Sequence, residues 1–236
     1  MSYRAVIFDL FGTLVPFFNP EPYRESLLAM ADALGLDHEA FLQQWAYDTL
    51  AARMGGELAT VEAGLAEIAR ALGASPTPEQ IARATRLRLD YYRTTLRPWP
   101  DAVPTLRALK ALGLRLGLIS DCSCEAPLLW AETPLAALID GPVFSCSEGL
   151  RKPDRRLYDL ACRRLGVAPA ECIYVGDGFG GELGGARAAG MEAVLITPPG
   201  EVGIAGAESE AATWTGPRVR TLGELLQVVR EYVNIR

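Results

Sequence analysis

Four places in the chain carry side chains that can act as nucleophile, proton donor or metal ligand. Asp9 ends the apolar run Val6 to Phe8, Ser120-Asp121 ends a second run, Lys152 follows a third, and Gly176-Asp177 ends a fourth. A carboxylate nucleophile, a hydroxyl, an ammonium group and further carboxylates suit attack on an electrophile that bears negative charge. The competing interpretation of the first place is a surface aspartate that opens a turn.

The elements around these residues alternate between strands and helices. Short apolar runs typical of buried strands alternate with helical patterns from Pro98 onward, which predicts a doubly wound parallel sheet. The carboxyl ends of parallel strands meet at one edge, so we expect the four places to share a cleft. The predicted strands cover residues 6–8, 114–119, 143–146, 172–175 and 193–197, and residues 200–216 are predicted as loop with room for a short helix.

A helical insert separates the first strand from the rest of the chain. Its predicted helices run from Tyr23 to Leu34, Asp37 to Gly55, Val61 to Leu72 and Thr77 to Leu96. We therefore predict an α/β domain of residues 1–15 and 96–236 and a small all-helical domain of residues 16–95 inserted after the first strand. Because the insert leaves directly after the loop of Asp9, it lies over the same sheet edge, where a lid would lie.

Asp9 and Asp177 together predict a Mg²⁺ site, because this hard ion prefers one or two carboxylates with water and substrate oxygens. Glu182 follows on the next predicted helix and could support the ion directly or at one remove. Lys152 is one of only two lysines among 23 basic residues. A compact ammonium at this point suits pairing with the nucleophile or neutralising a transferred anion. The competing interpretation is a solvated loop charge beside Arg151.

Composition narrows the class of partner. The chain has 236 residues, an apolar fraction of 50% and a net charge of −6. The apolar fraction predicts a sizeable core, while the negative charge argues against a nucleic acid or an anionic membrane as the main partner. No apolar run is long enough for a membrane span, and no signal peptide is evident. We expect a cytoplasmic protein, a monomer or homodimer, that binds a small anionic molecule.

The sequence has few residues for catalytic or metal sites built from cysteine and histidine. The five cysteines are an odd, scattered set, which predicts reduced thiols, and Cys122 and Cys124 lack the further ligands that a metal site requires. His38 is the single histidine and is predicted at a helix start. Catalytic triads and multi-histidine zinc sites therefore have almost no residues from which to form.

The run from Gly176 to Gly181 also satisfies the G-x-G-x-x-G pattern of dinucleotide-binding sites. Two features weaken this alternative. Asp177 would face the pyrophosphate with like charge, and the next predicted strand ends in Thr197-Pro198 without the acid that binds the ribose. No P-loop motif is present.

With these four places assembled, the sequence resembles the haloacid dehalogenase-like (HAD) hydrolase superfamily. Asp9-Leu10-Phe11-Gly12-Thr13-Leu14 is similar to its first motif, Ser120 to its second, Lys152-Pro153 to its third, and Gly176-Asp177 with Glu182 to its fourth. Residues 16–95 then correspond to the helical cap, so the resemblance covers nearly the whole chain.

The resemblance implies a role for each of these residues. Asp9 is the nucleophile that forms an aspartyl intermediate, Ser120 and Lys152 hold the transferring group, and Thr13 belongs to the catalytic set. Asp177 binds Mg²⁺ with Asp9 and with the backbone carbonyl of Phe11, and Glu182 supports the ion. Phe11, Gly12 and Asp121 are further residues expected to contact the substrate.

The first motif departs from the family pattern at one position that distinguishes the subfamilies. Phosphatases of this family usually carry a second aspartate two residues after the nucleophile, as proton donor and later base, and here that residue is Phe11. The 2-haloacid dehalogenases have an aromatic residue at this position, and Tyr158 also matches their pattern. Their fourth motif, however, has serine and asparagine where Gly176 and Gly178 stand, and they need no metal.

The predicted activity is therefore Mg²⁺-dependent hydrolysis of a small phosphorylated metabolite, with Asp177 as its main support. The alternatives are a 2-haloacid dehalogenase-like hydrolase, a binding or regulatory protein that has lost turnover, and, less favoured, an aspartate-phosphorylated receiver domain. The sequence does not identify the substrate. Trp45, Tyr47 and Arg53 in the insert are candidates for selecting it, although the two aromatic residues could equally be packed core.

Overall fold

A parallel sheet of six strands positions the candidate residues. The computed structural model describes residues 3–200 and 209–234. The strands are β1 (Ala5–Phe8), β2 (Arg115–Ser120), β3 (Gly141–Phe144), β4 (Cys172–Gly176), β5 (Glu192–Ile196) and β6 (Arg218–Val219). Their order is β3-β2-β1-β4-β5-β6, and every neighbouring pair is parallel. The predicted α/β class with a doubly wound sheet is confirmed.

The central strand β1 is buried on both faces. Val6 and Phe8 belong to one apolar core, Ala5 and Ile7 belong to another, and all four side chains are fully buried. Alternate residues of a strand point to opposite faces, so a strand between two helical layers must be apolar at every position. Chain order reverses between β1 and β4, and ligands of open α/β sheets bind at such a switch point.

Helices cover the sheet and continue into the segment between β1 and β2. They are α1 (Pro20–Leu34), α2 (His38–Gln43), α3 (Leu50–Met54), α4 (Val61–Ala71), α5 (Pro78–Thr95), α6 (Ala102–Ala111), α7 (Glu125–Leu129), α8 (Ser145–Glu148), α9 (Arg155–Leu165), α10 (Glu182–Ala189) and α11 (Leu222–Asn234).

The segment of α1 to α5 has an apolar cluster of its own, which includes Leu27, Phe41 and Leu65. Side-chain caps begin four of its five helices, all but α3, and Thr77 with Gln80 forms the predicted capping box at the start of α5. The division into a core of residues 1–15 and 96–236 and a cap of residues 16–95 stays a prediction.

Three elements of the structure differ from the prediction. The single helix expected from Asp37 to Gly55 is wrong, because Gln44–Asp48 forms a π-helical turn between α2 and α3. The Thr49 hydroxyl and amide both donate to the carbonyl of Gln44, at 2.8 and 2.9 Å, which diverts that carbonyl from the regular helical pattern.

The other two differences concern strands. Strand β3 ends at Phe144, two residues before the predicted end, because the Ser145 hydroxyl binds the backbone of Cys122 and Met54 and α8 begins there. Strand β6 has two residues, too few to show an alternating pattern. Within the predicted loop 200–216, residues 201–208 lie outside the described residues, and Glu210–Ala212 forms a 3₁₀ turn.

A buried ion pair joins α5 to α7. Arg88 Nε lies 2.5 Å from Glu125 Oε1, and the side chains are 3% and 1% exposed. Although burial opposes ionisation, the Arg88 charge lowers the pKa of Glu125. An exposed pair, Arg93 with Glu132, connects the same helix to the turn that follows α7.

These two ion pairs provide a matched test of the contact between α5 and the segment that follows β2. We expect Arg88→Met to lower the free energy of unfolding by about 3–5 kcal/mol, because it leaves the Glu125 carboxylate buried without its counter-ion. Arg93→Met should change it little, since exposed pairs contribute little. Urea unfolding measures both, and the double change Arg88→Met with Glu125→Gln should recover most of the loss. Equal effects of the two single changes would contradict the prediction.

No helix in the described part of the chain is long and apolar enough to cross a membrane.

Candidate active site

Asp9 lies where β1 ends, at the carboxyl edge of the sheet. Its amide donates to the carbonyl of Val175 on β4 at 2.9 Å, which continues the ladder between these central strands. The residue is 5% exposed. A turn over Gly12 to Leu14 follows. The carboxylate is therefore buried at the sheet edge and does not lie on an exposed loop.

Lys152 reaches Asp9 from the loop between α8 and α9. Its Nζ lies 2.6 Å from Asp9 Oδ1 and 2.5 Å from Glu182 Oε2, and its side chain is 6% exposed. Its backbone amide donates to Asp121 Oδ1 at 3.1 Å. The loop places this ammonium between two carboxylates, which excludes the interpretation of Lys152 as a solvated loop charge.

Asp9, Asp177 and Glu182 form a cluster that suits a divalent cation. One carboxylate oxygen from each lies within 4.8 Å of the others, and no other group of three or more His, Cys, Asp or Glu in the described residues meets this criterion. Lys152 supplies one positive charge against three carboxylates. A hard cation with oxygen ligands would balance the remainder, so the residues present fit Mg²⁺.

Burial and mutual repulsion perturb these carboxyl groups. Burial, opposed by the Lys152 charge, raises the pKa of Asp9 to about 7. Burial and the charges of Glu182 and Asp9 raise the pKa of Asp177 to about 8. For Lys152, burial is outweighed by the charges of Asp9, Glu182 and Asp121, which hold the pKa well above its usual value. The site therefore favours either bound protons or a bound cation.

Glu182 begins α10 and is fixed by three groups, of which Tyr174 is not predicted from the sequence. The Tyr174 hydroxyl donates to Glu182 Oε2 at 2.7 Å, and the amide of Gly178 donates to Oε1 at 3.0 Å. The Tyr158 hydroxyl donates to the Glu182 carbonyl at 2.9 Å. Tyr174 could have been suspected as the one polar tip within the apolar run of β4. Its buried hydroxyl requires a partner.

Two predicted catalytic residues contribute buried hydroxyls. Thr13 Oγ1 has no hydrogen-bond partner among the described residues, and the side chain is fully buried. Ser120 is also fully buried at the end of β2, and its Oγ makes no hydrogen bond of ordinary geometry there, with the Cys122 thiol as its polar neighbour. Buried polar groups normally have partners, so these hydroxyls are available to a ligand.

Gly12 allows the first and fourth motifs to approach each other. Its φ of 79° lies in the left-handed region, and a Cβ there would stand 2.3 Å from Asp177 Oδ2. A larger residue would be strained and would also displace the Asp177 carboxylate. The predicted substrate contact of Gly12 is a separate role and stays a prediction, as does the metal contact of the Phe11 carbonyl.

The side chain of Phe11 lies among aromatic rings from the helical segment. Its ring stacks on Phe18 with centroids 4.8 Å apart and meets Tyr92 edge-on at 6.0 Å. Phe11 is 7% exposed. The position two residues after Asp9 thus carries an enclosed aromatic ring that has no proton to donate.

The dinucleotide alternative does not fit the loop between β4 and α10. A diphosphate in such sites binds at the helix N-terminus. Here the Glu210 carboxylate occupies that end, accepting from the amides of Leu183 and Gly184 at 2.7 and 2.9 Å. Glu182 accepts from Gly178 in addition. The anion-binding amides are already satisfied by the chain's own carboxylates.

The three candidate selectivity residues of the insert separate in the structure. Trp45 is fully buried, and the Arg53 guanidinium lies 4.0 Å from the centre of its ring. Arg53 is itself 3% exposed, whereas Tyr47 is 71% exposed. Trp45 is packed core. His38, the single histidine, starts α2 and pairs with Asp32 at 2.7 Å, as expected for a helix-start residue.

A family model described as haloacid dehalogenase-like hydrolase matches residues 3–190. The chain belongs to this family. The HAD-like hydrolase is 31% identical over 198 residues to glyceraldehyde 3-phosphate phosphatase of Methanopyrus kandleri, covering 82% of this chain and 83% of the relative. It is 29% identical over 206 residues to (S)-2-haloacid dehalogenase 4A of Burkholderia cepacia, covering 84% and 85%.

Solved structures agree on the fold. The crystal structure of a HAD phosphatase from Thermococcus onnurineus superposes on the hydrolase with a TM-score of 0.65 at 24% identity, covering 96% of this chain and 97% of that one. At this identity the likeness supports the architecture alone. The chain is similar to relatives of both activities, so the choice between phosphatase and dehalogenase depends on the residues of the site.

Proposed function

We propose that this HAD-like hydrolase is a Mg²⁺-dependent phosphatase that acts on a small phosphorylated substrate through Asp9. The observation that carries the proposal is the carboxylate cluster of Asp9, Asp177 and Glu182. A reaction that releases halide has no use for a cation at this place, whereas a phosphoryl group brings negative charge that a cation neutralises.

The chain's own residues supply a nucleophile, an ammonium group and hydrogen-bond donors for phosphoryl transfer. Asp9 is held by Lys152 at the sheet edge and offers its carboxylate to phosphorus. The Lys152 ammonium also lies where it can stabilise charge on the transferring oxygens. The unpaired hydroxyls of Ser120 and Thr13 are donors for the same oxygens. Covalent attachment to Asp9 would divide one displacement into two easier steps.

Asp9, Asp177 and Glu182 would hold the Mg²⁺, with Glu182 as a direct ligand or at one remove. When bound, the ion supplies electrostatic stabilisation of the phosphoryl oxygens and orients the group. Tyr174 and Gly178 keep the Glu182 carboxylate in place, and Gly12 lets Asp177 approach the Asp9 loop.

Dehalogenation is the second candidate, and Phe11 and Tyr158 favour it. Halide leaves without a proton, so a dehalogenase has no need of the acid that Phe11 replaces. Against it, Gly176 and Gly178 stand where dehalogenases are expected to carry serine and asparagine. A binding or regulatory role without turnover is the third.

A substrate panel on the purified protein separates the three candidates. We expect phosphate release from phosphorylated substrates that depends on Mg²⁺ and is abolished by a chelator. Asp177→Asn should lower it by about 10²-fold or more, while Asp90→Asn on the exposed face of α5 should not change it. Chloride release from 2-haloacids without metal would overturn the phosphatase proposal and support the dehalogenase. Tight ligand binding without any turnover would favour the binding protein.

A further inference from the structure

The aromatic residue Phe11, two positions after Asp9, limits which leaving groups can depart from phosphorus. Phe11 is packed between Phe18 and Tyr92, and a phenyl ring has no proton to donate. The loose transition state of phosphoryl transfer places charge on the departing oxygen. That oxygen must therefore be protonated by another residue or be stable as an anion.

The charged residues that contact Asp9 are committed to other partners. Lys152 donates to Asp9 and to Glu182, at 2.6 and 2.5 Å. Glu182 also accepts from Tyr174, at 2.7 Å. Asp177, the third carboxylate of the cluster, accepts from the Phe179 amide at 3.0 Å and must be ionised to hold a cation.

The more distant groups are also engaged, although burial raises the pKa of the Asp121 carboxyl. Asp121 accepts the Lys152 amide at 3.1 Å and has Arg151 Nε at 3.8 Å from its other oxygen. Burial and nearby acidic groups, chiefly Glu125, raise the pKa of Tyr92 well above 10, which makes this phenol a weak acid. His38 pairs with Asp32 within the helical segment. Among the described residues, no acidic side chain lies beside Asp9 as an uncommitted proton donor, and the unpaired hydroxyls of Ser120 and Thr13 are too weakly acidic for that role.

We propose that the preferred substrates of this hydrolase are phosphorylated compounds whose leaving group departs as a stable anion. This class comprises acyl phosphates and phosphate esters of acidic hydroxyls, such as phenols and enols, and excludes simple alkyl phosphates. The inference rests on the proposed phosphatase function.

The chemistry balances without a general acid. An Asp9 oxygen forms a bond to phosphorus, and the bond from phosphorus to the leaving oxygen breaks, so the electron pair leaves as a carboxylate, phenolate or enolate. Water then attacks phosphorus and releases inorganic phosphate and the Asp9 carboxylate, and the proton of water passes to phosphate or solvent. A missing base slows this second step, so kcat/KM, which reports the first step, is the quantity to compare.

Two measurements on the wild-type protein test the inference. Acetyl phosphate and ethyl phosphate are nearly equal in size, but acetate is a far better leaving group than ethoxide. We therefore expect kcat/KM for acetyl phosphate to exceed that for ethyl phosphate by at least about 10³-fold. Across a series of substituted phenyl phosphates, we expect kcat/KM to fall by about tenfold for each unit of leaving-group pKa. Rates are corrected for hydrolysis in the absence of protein.

Variants at Phe11 show whether this residue sets the preference. Phe11→Asp restores an acid, and we expect it to raise kcat/KM for ethyl phosphate by about 10²- to 10⁴-fold and to flatten the dependence on leaving-group pKa. Phe11→Asn is the matched control of similar size and polarity without the acid, and it should keep the steep dependence. If neither variant folds, the two wild-type measurements decide alone.

The outcomes separate this inference from the proposed function. Phosphate release that is equally fast from acetyl and ethyl phosphate would overturn the inference while the phosphatase stands. A shallow wild-type dependence that steepens in Asp121→Asn would also overturn it and identify Asp121 as the acid. Absence of phosphate release from every compound, with Mg²⁺ present, would overturn the proposed function itself.

Discussion

We expect Asp9→Asn to lower the proposed Mg²⁺-dependent phosphate release by at least about 10⁴-fold, because the amide is no nucleophile and a group that forms the covalent bond cannot be replaced by its neighbours. The protein should stay folded, since asparagine has the same shape and Lys152 keeps its contact with Glu182. Circular dichroism and steady-state phosphate release measure the two properties together.

A trapping experiment distinguishes a covalent role for Asp9 from an electrostatic one. Wild-type protein quenched during turnover and reduced with borohydride should carry its modification at Asp9, identified by peptide mass, and Asp9→Asn should carry none. Asp121→Asn changes the carboxylate that follows Ser120 in the same cleft and should retain the trapped adduct at Asp9. Phosphate release by Asp9→Asn at more than about a hundredth of the wild-type rate would contradict a nucleophilic role.

The second large effect is on stability, and its sign follows from the raised pKa values of Asp9 and Asp177, about 7 and about 8. In the unfolded chain both groups have the pKa of an ordinary aspartate, about 3.9. Between these limits the folded protein binds more protons than the unfolded chain, so the free energy of unfolding of the metal-free protein falls as pH rises from about 4 to about 8.

Mg²⁺ should reverse this loss, because it binds the ionised form of the folded protein. At a concentration 100 times its Kd, the ion stabilises by about 2.7 kcal/mol, and its apparent affinity rises with pH as protons leave the site. We therefore expect a larger Mg²⁺-induced increase in Tm at pH 8 than at pH 6.

Asp177→Asn tests the origin of both effects. It should raise the Tm of the metal-free protein at pH 8, because one buried carboxylate is gone, and should abolish most of the response to Mg²⁺. The exposed change Asp90→Asn is the control and should keep the wild-type response. An equal Mg²⁺ response in Asp177→Asn and wild type would place the cation elsewhere.

The site combines features of two subfamilies. Phe11 lacks a proton to donate, which resembles the dehalogenase arrangement, while Asp177 and Glu182 with Asp9 concentrate negative charge, which suits a cation. A phosphatase that cleaves activated phosphates needs the carboxylate cluster for its cation but needs no proton donor at position 11. The two halves of the site are therefore compatible in one enzyme.

Much of the fold follows from local patterns. The apolar runs of β1 and β4 predict strands buried on both faces, and the Thr77 to Gln80 capping box predicts the start of α5, which the structure reproduces. Local patterns failed where a side chain competed for the backbone. Thr49 converts the expected helix into a π-helical turn, and Ser145 ends β3 early.

The sequence by itself determined that this is a HAD-like α/β hydrolase and that Asp9, Lys152, Ser120 and Asp177 share a sheet edge, because parallel strands bring their carboxyl ends together whatever the loops do. Only the tertiary structure decided that Lys152 bridges Asp9 and Glu182, that Tyr174 holds Glu182, and that Phe11 is enclosed by rings of Phe18 and Tyr92. Such contacts join residues far apart in the chain, and their geometry and burial, which set the charges and pKa values of the site, arise only when the helices pack over the sheet.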